Sequence, residues 1–205
     1  MRFLAALVLV VLLLGSSASA ADEAGELFNS IYGARLRQVR ATVSAADDLV
    51  LAEELLAAAR TSQDAPAILV ILCDNAYALA RKGRDGLGTA IEAAEFLGAR
   101  VPEKRIESLE KVRQIRQRLY LAARGAEKAA QGEALIGSLL ALAEAAKQTN
   151  DLDGAVAHGR RALTTATAIK SRRRARIQAD LDELIVRQQI GKREARWKDR
   201  LKANP

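Results

Sequence analysis

Apolar side chains recur every three or four residues along most of the chain, a period typical of α-helices that bury one face. The clearest example is "LLALAEAAKQTNDLDGAVAHGRRAL", residues 139–163, in which the polar turn "TNDLD" separates two such stripes. The alternation of β-branched residues that is typical of strands is missing, and the sequence contains only three prolines. Residues that favour helix, above all alanine, leucine, glutamate and arginine, dominate the composition. The pattern therefore predicts an all-α fold.

Capping residues and helix breakers divide the chain into eight predicted helices. Ser44 and Asp47 have the spacing of a capping box, and Thr89 begins a second one. Pro66 and Pro102 suit the first turn of a helix, where the missing N–H removes no hydrogen bond. The predicted helices cover approximately residues 26–42, 44–60, 66–82, 89–99, 102–124, 133–148, 151–170 and 172 onward.

Two of these helices indicate where the core lies. Residues 67–82, "AILVILCDNAYALARK", are apolar on nearly every side, which predicts a helix in the middle of the structure. This helix contains Cys73, the single cysteine, so the chain has no internal disulfide. We expect the thiol to fill space in the core, with a reactive thiol as the alternative. In the helix after Pro102, one predicted buried stripe consists of Ile106, Leu109, Val112, Ile115 and Leu119.

The first twenty residues, "MRFLAALVLVVLLLGSSASA", have the pattern of a secretory signal peptide: a charge, an apolar run and a small-residue ending. The apolar run is about a dozen residues long, whereas a membrane-spanning helix needs roughly 20. We therefore predict an exported protein, periplasmic or secreted, in a bacterial envelope. The predicted organisation is a signal peptide over residues 1–20, a helical domain over 21–190 and a basic tail over 191–205.

The positive charge of the chain is concentrated near its C-terminus. The net charge is +7, and residues 170–202 hold twelve Lys and Arg against five Asp and Glu. This helix has three interpretations: a solvated capping helix, a surface for anionic lipid or envelope polymer, or a nucleic-acid contact. Export and the shortage of stacking aromatic residues argue against nucleic acid. The candidate anionic-surface residues are Arg172, Arg173, Arg174, Arg193, Arg196, Trp197, Lys198 and Arg200.

Residues 136–169 resemble one tetratricopeptide repeat, a unit of two helices. The stripe of the first helix consists of Leu139, Leu142, Ala143 and Ala146, and that of the second of Leu152, Ala155, Val156, Gly159, Ala162 and Leu163. In that family small residues lie where the paired helices cross. The segment departs from the family at Gly159, where an aromatic residue is usual, and at Thr167, where a proline often ends the unit. Residues 36–66 and 68–102 form two further, more divergent hairpins.

The resemblance implies antiparallel helical hairpins that stack as a short solenoid and end in a C-terminal capping helix. It also implies a scaffold or adaptor that binds a peptide or protein segment on its concave face. The candidate partner-binding residues are Asn75, Glu144, Lys147 and Gln148. Asn75 is similar to an asparagine with which some family members bind a peptide carboxylate. The basic companion expected one turn earlier is Ile71 here, and Arg35 or Arg37 could substitute for it.

Groups that would support catalysis or metal binding are few. His158 is the single histidine, it lacks the companions of a metal site, and we expect it at the surface. No Gly-x-Ser-x-Gly motif occurs. The stretch "GRDGLGT", residues 83–89, is interpreted as a turn between helices, with anion binding as the alternative. We therefore predict no enzyme, cofactor or metal. The alternative function is attachment to an anionic membrane or envelope polymer through the basic C-terminal helix.

Overall fold

The computed structural model describes the backbone from Arg2 to Ala203 and the side chains of residues 20–200 and 202. Within this part of the chain the protein is all-α and contains no strand, which confirms the prediction of an all-α fold. The predicted stacking of hairpins as a solenoid stays a prediction. The helices are α1 (Arg2–Ala41), α2 (Ala45–Thr61), α3 (Pro66–Ala80), α4 (Leu87–Arg100), α5 (Arg105–Ala122), α6 (Gly125–Gln148), α7 (Leu152–Ala168) and α8 (Arg174–Ala203), with a 3₁₀ turn, Pro102–Lys104, before α5.

The side chains of the predicted signal peptide, apart from that of Ala20, lie outside the described residues, so this assignment stays a prediction. Among the described residues, no helix combines the length and the apolar content needed to cross a membrane. The chain divides into two compact units, residues 1–108 and 109–205. The boundaries that the sequence predicts after residues 20 and 190 stay predictions as well.

In the first unit, α3 is the central helix and packs against α1, α2 and α4. The apolar sequence of α3 explains this position. A helix with apolar side chains on every side buries the most apolar surface, and is stabilised most, when other helices cover it on several sides. Leu69 and Ala76 have no exposed surface, and Cys73 is 1% exposed. The prediction of a central helix is confirmed, and Cys73 lies inside the core as expected.

The start of α2 shows how local sequence fixes a helix end. The hydroxyl oxygen of Ser44 accepts a hydrogen bond from the backbone N–H of Asp47, at 3.4 Å. One residue further on, the buried carboxylate of Asp48 accepts a bond from Lys82 Nζ at 2.7 Å. The predicted N-cap at Ser44 is therefore confirmed, and the adjacent ion pair links the start of α2 to the residues that follow α3.

The predicted cap at Thr89 is wrong, because α4 already begins at Leu87. The residue before it is Gly86, whose backbone lies against the carbonyl group of Ala80; a Cβ atom there would be 2.9 Å from the carbonyl carbon. Only glycine allows this close approach. The close contact with α3 therefore sets the start of α4, and Thr89 lies inside the helix.

The predicted buried stripe of α5 is confirmed only in its middle. Val112 and Ile115 are buried, whereas Ile106 is 47% exposed. Ser108 is buried instead, with 2% of its surface exposed. It lies against Gly98 of α4, where an added Cβ atom would be only 2.8 Å from the Cβ atom of Ser108. Hydrophobicity alone gives the wrong residue here, because the tight contact with Gly98 leaves room for only a small side chain.

In the second unit, α7 packs against both α6 and α8. Asp151 precedes α7 and accepts a hydrogen bond from the Gly154 N–H at 2.8 Å, so the polar turn before α7 ends in an N-cap. The predicted start of α6 at Glu133 is wrong, because α6 begins at Gly125, whose φ is +56°. From the sequence, either Gly125 or Gly132 could end the helix that follows Pro102. That helix, α5, ends at Ala122, close to Gly125, whereas Gly132 is buried inside α6 and lies against Ile169.

Most of the inward stripe positions predicted for residues 136–169 are buried, in two core clusters, whereas Leu152 and Leu163 are only partly buried. The first cluster combines Leu135, Ile136, Leu139, Ala162, Ala166 and Ile177, and the second combines Ala146, Ala155, Val156, Leu181 and Leu184. Both clusters join α6, α7 and α8. Burial of this apolar surface, at roughly 25 cal/mol per Å², is the main interaction that holds the three helices together.

Candidate functional site

A cleft of about 360 Å³ opens between α6 and α8 in the second unit. α6 supplies Leu140, Ala143, Glu144 and Lys147 to its lining, α7 supplies Gly159, and α8 supplies Arg176, Ile177, Asp180, Leu181, Glu183, Leu184 and Arg187. Apolar side chains therefore form its inner surface and charged side chains its rim. This volume lies within the range of about 300–1,000 Å³ that is usual for ligand-binding clefts.

Small residues on α7 determine the depth of this cleft. Ala155 and Ala162 are fully buried, so α7 approaches its neighbours closely. Gly159 faces α8, and a Cβ atom at this position would lie 3.1 Å from Leu181 Cδ1. An aromatic residue at Gly159, as is usual in tetratricopeptide repeats, would push Leu181 out of its place. Glycine at this position therefore lets α7 lie close to α8 and leaves Leu181 in the core.

The rim of the cleft carries charges of both signs. Glu144 and Lys147 form an ion pair with each other on α6. On α8, Arg176 Nε lies 4.0 Å from Asp180 Oδ2. Among the ion pairs of the described residues, none involves Glu183 or Arg187. The rim therefore offers one acidic and one basic group that are free to meet a ligand.

The four predicted partner-binding residues have different places. Glu144 and Lys147 line the cleft, whereas Gln148 is exposed but lies outside the lining. Asn75 belongs to the first unit, on α3, and its amide is engaged there: Nδ2 donates to the Ile71 carbonyl at 2.9 Å, and Oδ1 accepts from Arg40 Nη2 at 3.4 Å. The cleft therefore contains two of the four predicted residues.

The two arginines considered as basic companions of Asn75, Arg35 and Arg37, also belong to the first unit, and neither is the arginine that contacts it. Arg35 forms an ion pair with Glu54, and Arg37 is exposed. The guanidinium that does contact Asn75 is that of Arg40, one helical turn further along α1 than Arg37. A single hydrogen bond at 3.4 Å is weak, so Asn75 is held mainly by the carbonyl of its own helix.

The α8 side of the cleft is not predicted by the sequence, in which this helix is interpreted as a cap. The missed residues are Arg176, Asp180, Glu183 and Arg187. One signal in the sequence is that these residues form two pairs at i, i+4 spacing, beside an apolar stripe that consists of Ile177, Leu181, Leu184 and Ile185. Charged residues that flank a buried stripe lie at the edge of a helix interface, where a cleft can form.

The candidate anionic-surface residues lie at the two ends of α8. Arg172, Arg173 and Arg174 are exposed at its start, and Arg173 Nη1 is 3.8 Å from Glu133 Oε2. From Gln189 onward every described side chain is exposed, including the remaining five candidates: Arg193, Arg196, Trp197, Lys198 and Arg200. Trp197 is 63% exposed.

Asp153, near the start of α7, is bonded to the middle of α8. Its carboxylate accepts a bond from Lys192 Nζ at 2.6 Å and another from Gln188. The hydrogen bond from Lys192, followed by the one from Gln188, lowers the pKa of the Asp153 carboxyl below its ordinary value. These contacts are exposed, so they orient α8 on α7 more than they stabilise it.

His158 is less exposed than predicted, since only 17% of its side-chain surface is accessible. Its Nε2 atom lies 3.8 Å from Glu110 Oε1, and among the described residues its buried Nδ1 atom has no hydrogen-bond partner. Burial lowers the pKa of the imidazole below its ordinary value, and the Glu110 carboxylate acts in the opposite direction. Among the described residues, no group of three or more His, Cys, Asp or Glu is arranged to hold a metal ion.

Comparison of the chain with protein-family models, with curated proteins and with solved structures finds no match. The function of the chain is therefore inferred from the geometry and chemistry of its clefts.

Proposed function

We propose that the chain is an exported, non-enzymatic interaction module that holds an extended polypeptide segment in the cleft between α6 and α8. In this proposal α6 and α7 form a tetratricopeptide-like hairpin, and α8 acts as the first helix of the next layer. The observation that carries it is the cleft itself: α7 packs against both α6 and α8, and about 360 Å³ of open space separates these two helices. Such a repeat binds its partner between successive first helices.

The chemistry of the cleft supports a polypeptide ligand. Its inner surface presents Leu140, Ile177 and Leu184 to apolar side chains, and its rim presents charges of both signs. An extended segment carries N–H donors, C=O acceptors and side chains that alternate in direction, so it can use apolar and polar contacts together. The free groups of Glu183 and Arg187 would bind a basic and an acidic group of the partner, respectively.

The test begins with selection of peptides from a random phage-displayed library on the purified protein. Affinities of the selected peptides are then measured by fluorescence anisotropy. Replacement of the rim pair, Glu144→Ala with Lys147→Ala, should weaken binding about tenfold, or ~1.4 kcal/mol. The matched control is Glu194→Ala with Lys198→Ala, which removes one acid and one base from an exposed part of α8 outside the cleft.

Two results would contradict the proposal. One is that no peptide is selected that binds saturably to the folded protein. The other is that the two double variants weaken binding equally, which would place the peptide elsewhere. Circular dichroism of both variants checks that the helices are intact. A second cleft variant, Gly159→Leu, should narrow the cleft against Leu181 and weaken the same peptides.

A second candidate function is attachment to an anionic envelope surface through the end of α8. The observation that favours it is the exposure of Trp197 together with Arg193, Arg196 and Arg200 on a part of the helix where every side chain that the structure describes is exposed. Basic residues beside an exposed aromatic residue are typical of helices that lie on anionic membranes. Truncation after residue 190 should abolish binding to phosphatidylglycerol vesicles at low salt and leave peptide capture unchanged. Undiminished vesicle binding by the truncated chain would exclude this function.

A further inference from the structure

A second cleft of the same unit lies between α5, α6 and α7 and is separate from the proposed polypeptide cleft. Its volume is about 620 Å³, and it is lined by three arginines and by apolar side chains. Arg113 comes from α5, and Arg160 and Arg161 come from α7. Leu135 and Leu139 of α6, with Tyr120 and Leu121 of α5, provide the apolar surface. We refer to it as the arginine cleft.

The charges of the arginine cleft are not balanced by its own residues. No Asp or Glu belongs to its lining. Arg113 is the one arginine with a carboxylate partner, because its Nε donates to Glu110 Oε2 at 2.6 Å while its Nη1 donates to Gln117 Oε1. Among the described residues, Arg160 and Arg161 are exposed and have no ion-pair partner. Two guanidinium groups beside the same apolar surface are therefore available to an anion.

The apolar part of the cleft is open to a ligand as well. Leu121 is 66% exposed, and Tyr120 is partly exposed beside it. Guanidinium groups bind carboxylate and phosphate oxygens through paired N–H donors, and this attraction is stronger next to an apolar surface that excludes water. A simple inorganic anion would use the arginines but leave the apolar surface uncovered.

We propose that the arginine cleft binds a small amphiphilic anion, with a carboxylate or phosphate group on an aliphatic chain. The acidic group contacts Arg160 and Arg161, and the chain covers Leu121 and Tyr120. The volume of the cleft suits a small molecule. Because three arginines and no Asp or Glu line the cleft, we expect it to repel a cationic amphiphile.

The test uses isothermal titration calorimetry on the full chain with decanoate and decyl phosphate as probes, below their micelle concentrations. Saturable binding of either probe is expected, and it identifies which acidic group the cleft prefers. Acetate and inorganic phosphate should bind at least about tenfold more weakly, because they lack the chain. The corresponding cation, decyltrimethylammonium, should not bind.

Two variants with the same change in charge locate the site. Arg160→Gln with Arg161→Gln should weaken the preferred probe by about tenfold or more, and added salt should weaken it in the parent protein. The control, Arg172→Gln with Arg174→Gln, removes two exposed arginines of the same unit outside the cleft and should leave affinity unchanged. Leu121→Ser should weaken decanoate but not acetate. Absence of saturable binding, equal losses in the two double variants, or binding of the cation would overturn the proposal.

Discussion

Two glycines in the interior of α6 allow the packing of the second unit to be tested by one matched pair of substitutions. Gly132 is buried, and a Cβ atom there would lie 2.8 Å and 2.9 Å from the Cγ2 and Cδ1 atoms of Ile169 and 3.3 Å from Tyr120 Cε2. Gly137 is exposed, and a Cβ atom there would have no neighbour within 4 Å. Gly132→Ala and Gly137→Ala therefore add the same methyl group to the same helix. The methyl group meets Ile169 in the first variant and open space in the second.

The magnitudes follow from two opposing effects. Alanine is favoured over glycine in a helix interior by about 1 kcal/mol, so Gly137→Ala should raise the free energy of unfolding by up to ~1 kcal/mol. Gly132→Ala has the same favourable effect on helix stability, but it forces Ile169 to move. Such overpacking lowers the free energy of unfolding by about 1–3 kcal/mol. The net change for Gly132→Ala should therefore lie between about zero and a loss of ~2 kcal/mol. The two variants should differ by roughly 1–3 kcal/mol.

The assay is urea denaturation followed by far-ultraviolet circular dichroism. The slope of the unfolding free energy against urea concentration is compared between variants, to check that they unfold in the same way. A third substitution, Ile169→Ala, removes the two atoms that would lie closest to a Cβ atom at position 132 and leaves the longer contact with Tyr120. In that background Gly132→Ala should lose most of its penalty, so the double-mutant cycle should give a favourable coupling. Equal effects of the two glycine substitutions, or no coupling with Ile169, would refute the packing of α6 against Ile169.

Three further predictions concern single side chains, each followed through the free energy of unfolding. His158→Gln should flatten the pH dependence of stability: burial lowers the pKa of the imidazole, so its contribution is present in full above the ordinary value of 6.5 and is lost as pH falls through the folded-state pKa. A profile as steep as that of the parent would contradict this. Asp151→Ala removes the cap of α7 and should cost about 1 kcal/mol, whereas Asp153→Ala should cost less; a neutral effect at Asp151 would show that the cap is not formed. Lys82→Gln leaves the Asp48 carboxylate, 3% exposed, without its cationic partner and should cost about 1–3 kcal/mol; no loss would show that the ion pair contributes nothing.

Local sequence predicted those elements of the fold whose ends depend on neighbouring residues. α7 was placed at residues 151–170 and runs over Leu152–Ala168, because the Asp151 carboxylate lies within reach of the Gly154 N–H in the same turn. Of the six inward positions predicted on this helix, Ala155, Val156, Gly159 and Ala162 are buried, and Leu152 and Leu163 are partly buried. A stripe of period 3.6 identifies the inward face of a helix but not which of its side chains are fully covered.

The elements that were predicted wrongly depend on residues far away in sequence. Local sequence cannot decide whether Gly125 or Gly132 ends the helix before α6, and Gly132 in fact lies against Ile169, which follows it by 37 positions. Ile106 was expected in the core, and Ser108 occupies the buried position because it lies against Gly98. A glycine breaks a helix in isolation, but in a packed protein it also allows two helices to approach closely.

The candidate site could be predicted on one side only. Glu144 and Lys147 of α6 were identified from the resemblance to a repeat, and both line the cleft. The α8 residues opposite them could not be assigned. Charged residues on an amphipathic helix have the same spacing in the sequence whether they face solvent or line the edge of a cleft. The arginine cleft is a still clearer case, since its three arginines come from two helices that the sequence did not pair.

The last part of α8 has a practical consequence for the study of this protein. From Gln189 to the end of α8 at Ala203 every described side chain is exposed, and at 1.5 Å per residue this stretch is roughly 20 Å long. Its backbone amides are protected only by hydrogen bonds within one exposed helix, so they should exchange with deuterium much faster than those between Ile177 and Leu184. An affinity tag or biosensor linkage at this end would disturb no buried contact and would leave both clefts of the second unit accessible.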